Sequence, residues 1–394
     1  MKYPHGQLAS SLFIRAFQAC YWGAAGLYFP FVNVYYRGIG LSGTEIGLIA
    51  TLSALMGALG AVIWGMIHDR WGKSRLVFTG LAFGAALFSF ILGHVREYWQ
   101  ILPAAALVSF FNTSAVSQVD SMTLRLLGEN HAAYSSHRLW GTVCFVVTSA
   151  LASLLLPAVG IQSVFTLFPI GLLLFWLFSL RLKDQSIRQG PSLLAGLGQM
   201  TRNPQWLLLM GSVMVLWTAI LGVFAFISVV AKDLGASEAS VGLISTVAAV
   251  AEIPMLLIGP YLLRRFGPRS LIVGAMAAYV VRMLLYAQVA RPEWVIALSL
   301  MQGITYSPFL IGTVALANQL APDELKSTSQ GLLGMVMSLS NVAGGLACGW
   351  LFDHTGQAGL FSMAALFAGA ALLLYGLGAR RLNASQSVAQ LGEQ

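Results

Sequence analysis

Apolar runs, each closed by a short polar or glycine-containing stretch, follow one another along the whole of this 394-residue chain. Runs of about 20 residues match what a helix needs to cross about 30 Å of hydrocarbon. Twelve such spans are predicted, at about 11–36, 45–67, 76–94, 98–126, 138–157, 161–180, 204–231, 238–263, 270–290, 294–320, 328–350 and 357–379. Backbone polar groups in lipid must be satisfied within their own segment, so the spans are read as helices and the fold class as an all-α membrane protein.

The pattern repeats on a larger scale. Gly40-Leu-Ser-Gly-Thr-Glu-Ile-Gly-Leu-Ile-Ala-Thr51 returns 195 residues later as Gly235-Ala-Ser-Glu-Ala-Ser-Val-Gly-Leu-Ile-Ser-Thr246, and Asp69-Arg-Trp-Gly72 answers to Arg264-Arg-Phe-Gly267 at the same offset. Two pseudo-symmetric six-helix bundles are therefore expected, over 1–180 and 204–381. Between them lies a polar linker, 181–203, broken by Gly190 and Pro191. The tail 382–394 is polar and is expected to lack regular structure. Duplicated halves in so apolar a chain point to a transporter whose site lies between the bundles and opens alternately to each side.

Composition excludes a soluble domain: 57% of residues are hydrophobic and 9% charged, against roughly a quarter charged in ordinary globular proteins. The net charge of +8 reads as topology, not as nucleic-acid binding. Fifteen Lys and Arg fall on the side of the N-terminus, four (Arg37, Arg96, Lys232, Arg291) on the other, and Arg15, Arg138 and Arg282 inside spans. That bias puts both termini in the cytoplasm, in a membrane of the bacterial inner-membrane type. Cys20, Cys144 and Cys348 all fall within spans and make neither a disulfide framework nor a thiol metal site. The first apolar run is a full span without a small-residue cleavage site, so no cleavable signal is expected. No cofactor is implied. The expected partners are a small-molecule substrate, a proton and the lipid bilayer, with the chain working as a monomer.

Four charged side chains inside the spans stand out, because each at mid-bilayer costs at least about 2.5–3.5 kcal/mol on insertion scales. Glu252 and Arg282 lie about 16 and 18 Å from the cytoplasmic ends of spans eight and nine, close to the midplane on adjacent helices. A buried carboxylate beside a buried guanidinium offsets its cost, and its protonation becomes tied to whatever else occupies the cavity. Asp120 and Arg138, nearer the cytoplasmic boundary, form a second pair. Arg15, about one turn inside, is read as a structural residue that snorkels. Trp217, Tyr306, Asn33, Asn112, Gln118, Gln302 and Asn341 are candidates for the cavity wall or for helix packing.

Between spans two and three stands Gly65-Met-Ile-His-Asp69-Arg70-Trp-Gly72-Lys73-Ser-Arg75. An acid at the membrane edge followed by a basic loop can pair with neighbouring helix ends and latch the cytoplasmic side. This stretch resembles the signature loop of the major facilitator superfamily, with Gly65, Asp69, Arg70, Gly72 and Arg75 as its gating residues. Gly344-Gly-Leu-Ala-Cys-Gly-Trp-Leu-Phe-Asp353-His-Thr-Gly356 is similar to the superfamily's eleventh-helix pattern. Gly26-Leu-Tyr-Phe-Pro-Phe-Val-Asn-Val-Tyr-Tyr-Arg-Gly-Ile-Gly-Leu-Ser42 and His137-Arg138-Leu-Trp-Gly-Thr142 resemble the group containing lactose permease, nucleoside–proton symporters and the 3-phenylpropionic acid transporter.

The resemblance covers the whole chain and implies the major facilitator fold. It also implies substrate binding and proton coupling for Glu252 and Arg282, which keep the group's thirty-residue spacing. Asp120 and Arg138 keep the eighteen-residue spacing of a sugar-binding pair, with a shortened acid. One departure stands out. Lactose permease carries a coupling histidine and glutamate in helix ten, and the matching positions here, ahead of Pro308-Phe309, are Gly303 and Tyr306. The six histidines lie near span edges, so proton coupling falls to Glu252, with Asp120.

The resulting reading is proton-coupled uptake of a small organic solute. Two cavity arginines suit a carboxylate, and Tyr21, Trp22 and Trp217 suit a ring, so an aromatic or other organic acid is slightly favoured over a sugar or nucleoside. A drug–proton antiporter is the alternative, although span five lacks that group's Gly-rich, Pro-containing stretch. A membrane enzyme or sensor is disfavoured, since no paired His ligands, Ser–His arrangement or Walker lysine is found.

Overall fold

A computed structural model describes residues 5–71, 73–127, 134–182, 198, 200–322 and 325–392. The first half holds α1 (His5–Gly26), α2 (Val32–Gly38), α3 (Gly43–Trp71), α4 (Ser74–His94), α5 (Tyr98–Leu127), α6 (Tyr134–Val159) and α7 (Val164–Ser179). The second holds α8 (Pro204–Asp233), α9 (Glu238–Leu257), α10 (Gly259–Ala287), α11 (Pro292–Ser299), α12 (Gln302–Leu320) and α13 (Lys326–Gly392).

Among the described residues ten stretches of helix are long and apolar enough to cross a membrane. The last, Ser329–Ala379, turns back at Gly356 (φ 64°) and counts as two crossings. A further crossing comes from α1 and α2, whose Ser, Gln and Arg residues lower its hydropathy. Twelve membrane helices in two bundles result, as the apolar pattern predicts. Three boundaries differ from expectation. The first span is broken at 27–31, where Pro30 has no N–H to donate. The tenth is interrupted between α11 and α12. The backbone also stays helical to Gly392 instead of losing structure after 381, because no Gly or Pro interrupts the chain between Gly378 and Gly392. Most of the expected linker, 183–197 and 199, lies outside the described residues.

The repeat extends to single hydrogen bonds. Gly40 and Gly235 both adopt φ +94°, a left-handed conformation that glycine takes without strain. Each closes a helix with the same pair of bonds: Gly40 N to Arg37 O and Leu41 N to Tyr36 O, then Gly235 N to Lys232 O and Ala236 N to Ala231 O. The next helix starts alike in both halves, with Ser42 Oγ capping Glu45 N at 3.2 Å and Ser237 Oγ capping Ser240 N at 3.2 Å. Glu45 returns a bond to Ser42 N at 2.8 Å, a capping box the second half lacks.

The halves meet unevenly. The end of α3, the start of α4, the turn at Gly267 and the start of α8 lie on one face rich in Lys and Arg, the basic face. On the opposite face α3 packs along α13 and α6 along α9. A Cβ at Gly47 would strike the Gly345 carbonyl, so only paired small residues permit this approach. Asp353 accepts from Gly43 N and Thr44 N, both at 2.6 Å, and so closes the positive N-terminus of α3 from across the seam. Arg37 and Asp233 pair at 3.2 Å nearby. Toward the basic face the same helices separate: a Cβ added at Gly65 or Gly334 would meet nothing within 4 Å, and Leu59 and Met335 are exposed. The molecule is shut on the opposite face and open toward the basic one.

Candidate functional site

Between the halves lies a cavity of about 550 Å³, within the range of small-molecule sites. Its wall includes Arg138, Glu252, Arg282, Trp217 and Tyr306, five of the six substrate-site residues expected from sequence. Asp120 does not line it, but touches Arg138, which does.

Glu252 stands midway between the Ser237 cap and the Gly267 turn, about 22 Å from each end. Arg282 comes from α10 and is 1% exposed. The sequence suggests a direct pair, and here the structure corrects the expectation: Gln302, from the first turn of α12, sits between them. Its Nε2 donates to Glu252 Oε1 at 3.1 Å, while its Oε1 accepts from Arg282 Nη1. Arg282 Nη1 also donates to Thr305 Oγ1 at 3.0 Å, and its guanidinium lies 5.4 Å from the Tyr286 ring. Residues 302, 305 and 309 share one face of α12, which is how one helix turn supplies both the amide and the hydroxyl. Sequence alone places Gln302 only among the neutral candidates, since nothing in its local pattern sets it apart.

The first-half cluster is built differently. Arg138 Nε lies 3.8 Å from Asp120 Oδ1, with the side chains 27% and 33% exposed. The guanidinium is stacked 3.9 Å over the Trp22 ring, and Nη1 reaches Thr142 Oγ1 at 3.4 Å. Gln18 Nε2 donates to Asp120 Oδ1 at 3.3 Å and to Thr123 Oγ1 at 2.9 Å. Across the cavity Trp217 is stacked on Tyr306, at 5.9 Å, and on Phe309, at 5.6 Å. Flat aromatic faces therefore border the cavity from both halves.

The other expectations divide. Of the gating residues, Gly65 lies in α3, Gly72 lies outside the described residues, and so do the side chains of Asp69 and Arg70. Arg75 Nε donates to the Leu182 carbonyl at 2.6 Å, so this guanidinium is engaged within its own half. Asn33 and Asn112 line a smaller chamber instead of the main cavity. Gln118 bonds His68 Nδ1 at 2.6 Å. His68 and His137 are buried despite lying near span ends.

Comparison with known proteins adds an independent line. The model of the MFS_1 like family matches residues 12–363. The chain is 26% identical to the maltose permease of Geobacillus stearothermophilus over 79% of this chain and 80% of that protein. It is 25% identical to the probable 3-phenylpropionic acid transporter of Escherichia coli (strain K12), over 73% of this chain and 76% of the relative. In structure it is similar to a crystallised mutant of the nucleoside transporter NupG, with a TM-score of 0.79, 17% identity, and coverage of 94% of this chain and 99% of that one.

Proposed function

The chain belongs to the MFS_1 like family of the major facilitator superfamily and is a membrane transporter of small molecules, and on that premise we propose that it takes up a small ring-bearing solute together with a proton. The observation that carries this reading is Glu252, a carboxylate on the wall of the central cavity midway across the membrane, joined through Gln302 to Arg282. A carboxylate there can take up a proton only from an aqueous path, and the cavity offers one toward the basic face. The solute's ring lies between Trp22 and Trp217, with its polar groups on Arg138 and Gln302. The basic face, with both termini, is cytoplasmic in a bacterial-type inner membrane. The units that move are 1–180 and 204–381, and a monomer suffices.

An organic acid is the first substrate class, because two arginines border the cavity. A sugar or nucleoside is the second reading, favoured by one observation: both guanidiniums already have partners, Arg138 in Asp120 and Trp22, Arg282 in Gln302 and Thr305. The test uses purified protein in liposomes holding a pH-sensitive dye, screened with aromatic acids, sugars and nucleosides. Proton entry with one class, lost in Glu252→Gln while that solute still binds, is the expected result. Solute uptake without proton movement, or an unimpaired variant, would overturn the coupling role of Glu252.

A further inference from the structure

The first half contains a second, smaller chamber of about 150 Å³, walled by the break in the first crossing, α2, α3 and α5. It lies nearer the shut, opposite face than the central cavity. Its wall carries Tyr28, Asn33, Ser53, Ser109, Asn112 and Thr113, and no charged residue. So many neutral polar side chains inside a membrane bundle are costly unless each finds a partner.

Several of them do not find one within the protein. Asn112 is 4% exposed; its Oδ1 accepts from Tyr21 at 3.1 Å, yet among the described residues its Nδ2 has no acceptor. Asn33 Nδ2 donates to the Ala225 carbonyl at 3.2 Å, and among the described residues its Oδ1 has no donor. Ser53 Oγ, on the chamber wall, likewise has no partner among the described residues. The chamber thus offers one free donor, one free acceptor and one group that is both, all uncharged. Such a set suits hydroxyl groups, which donate and accept, and does not suit a carboxylate or an ammonium.

Phe29 connects the two spaces. It lies in the turn between α1 and α2, is 42% exposed, and lines both the central cavity and the chamber. We propose that the chamber is a second substrate subsite, reached past Phe29, that takes the hydroxylated, uncharged portion of a ring-bearing solute. It selects among ring-bearing solutes by their hydroxyls, while the central cavity holds the remainder. This deepens the transport reading above and rests on the central cavity being the solute path.

The test is thiol protection on the full chain in liposomes, with Cys20, Cys144 and Cys348 replaced and Ser53→Cys introduced. A small methanethiosulfonate reagent is expected to reach position 53, and faster when Phe29→Ala is added. Methyl glucoside or uridine, at about ten times its Kd, slows labelling about tenfold by occupying the chamber, whereas 3-phenylpropionate, which has no hydroxyl on its ring, slows it only by obstructing the central cavity, so its effect does not depend on Asn112. Asn112→Leu, which leaves Tyr21 its bond to the Asn112-position backbone carbonyl, weakens the protecting probe about tenfold, the loss of roughly one hydrogen bond. No labelling at 53, labelling that neither hydroxylated probe slows at the highest soluble concentration, or protection by those probes that Asn112→Leu leaves unchanged overturns the subsite. The same liposomes with the pH dye separate the two readings. Coupled uptake without protection sinks the chamber alone, and protection without proton entry sinks the coupling role of Glu252 alone.

Discussion

The first half of the molecule meets its cavity arginine with a carboxylate, and the second half meets its own with an amide. Arg138 and Asp120 are about a third exposed and 3.8 Å apart, with Trp22 stacked beneath the guanidinium. Arg282 is buried, and Gln302 stands between it and Glu252. Solvent screens the first pair, so its members tolerate loss of one another. In the second, each group depends on the next, and a buried cation without its acceptors is expensive. Two halves with matching turns and caps therefore carry clusters of different stiffness, on helices that do not correspond: offset by 195 residues, Glu252 falls on Gly57, not on Asp120. The fold was duplicated, and the chemistry was placed separately in each copy.

This contrast can be broken from the buried side first. Arg282→Leu removes the centre of the second cluster, strands Gln302 Oε1 and leaves the Glu252 carboxylate, still bonded to Gln302 Nε2, without a nearby compensating cation. A stability loss of about 3–5 kcal/mol is expected, read as a lowered Tm of the detergent-purified protein, with uptake abolished. A variant as stable as wild type would show that the cluster is not a structural unit.

Gln302→Leu comes next. It keeps both charges and takes away only the bridge, a pair of hydrogen bonds to charged groups worth about 1.5–3 kcal/mol each. Uptake in liposomes is expected to fall about 10- to 100-fold, with Gln302→Glu restoring part of it by giving Arg282 an acceptor again. Unchanged uptake would mean that Glu252 and Arg282 work without the amide.

Asp120→Asn is the mildest. The amide still accepts from Gln18, and Arg138 keeps its stack on Trp22, so stability should change by less than about 1 kcal/mol. A few-fold rise in KM with little change in maximal rate is expected. A loss as large as that of Arg282→Leu would erase the distinction between the clusters.

A second contrast bears on transport itself. The seam on the opposite face is made of glycines in backbone contact, the Asp353 cap on α3 and the Arg37–Asp233 pair, while Gly65 and Gly334 on the same two helices face open space. For the cavity to open to the other side, the seam must part and the free ends must meet. The contacts that must part are paired small residues, the Asp353 cap on two backbone N–H groups and the forked Arg37–Asp233 pair.

Much of this was legible in the residues themselves. Run length fixed the twelve crossings, because the bilayer imposes one length on every helix. The offset between Gly40 and Gly235 announced the repeat, and both glycines close their helices with the same bonds. Charges within apolar runs pointed to Glu252, Arg282, Asp120 and Arg138, since lipid makes each one conspicuous. These are signals of composition and spacing along the chain, which the membrane turns into strong local constraints.

Tertiary structure alone decided the rest. Gln302 looks like any neutral polar residue until α9, α10 and α12 are set side by side, fifty residues of chain separating it from Glu252. Asp353 caps Gly43 from 310 residues away. Asn33 and Asn112 became walls of a chamber only through the break at 27–31 and the packing of α3 against α5. Helix rotation and the meeting of distant faces depend on packing across the whole bundle, and no stretch of sequence contains both sides of such a contact.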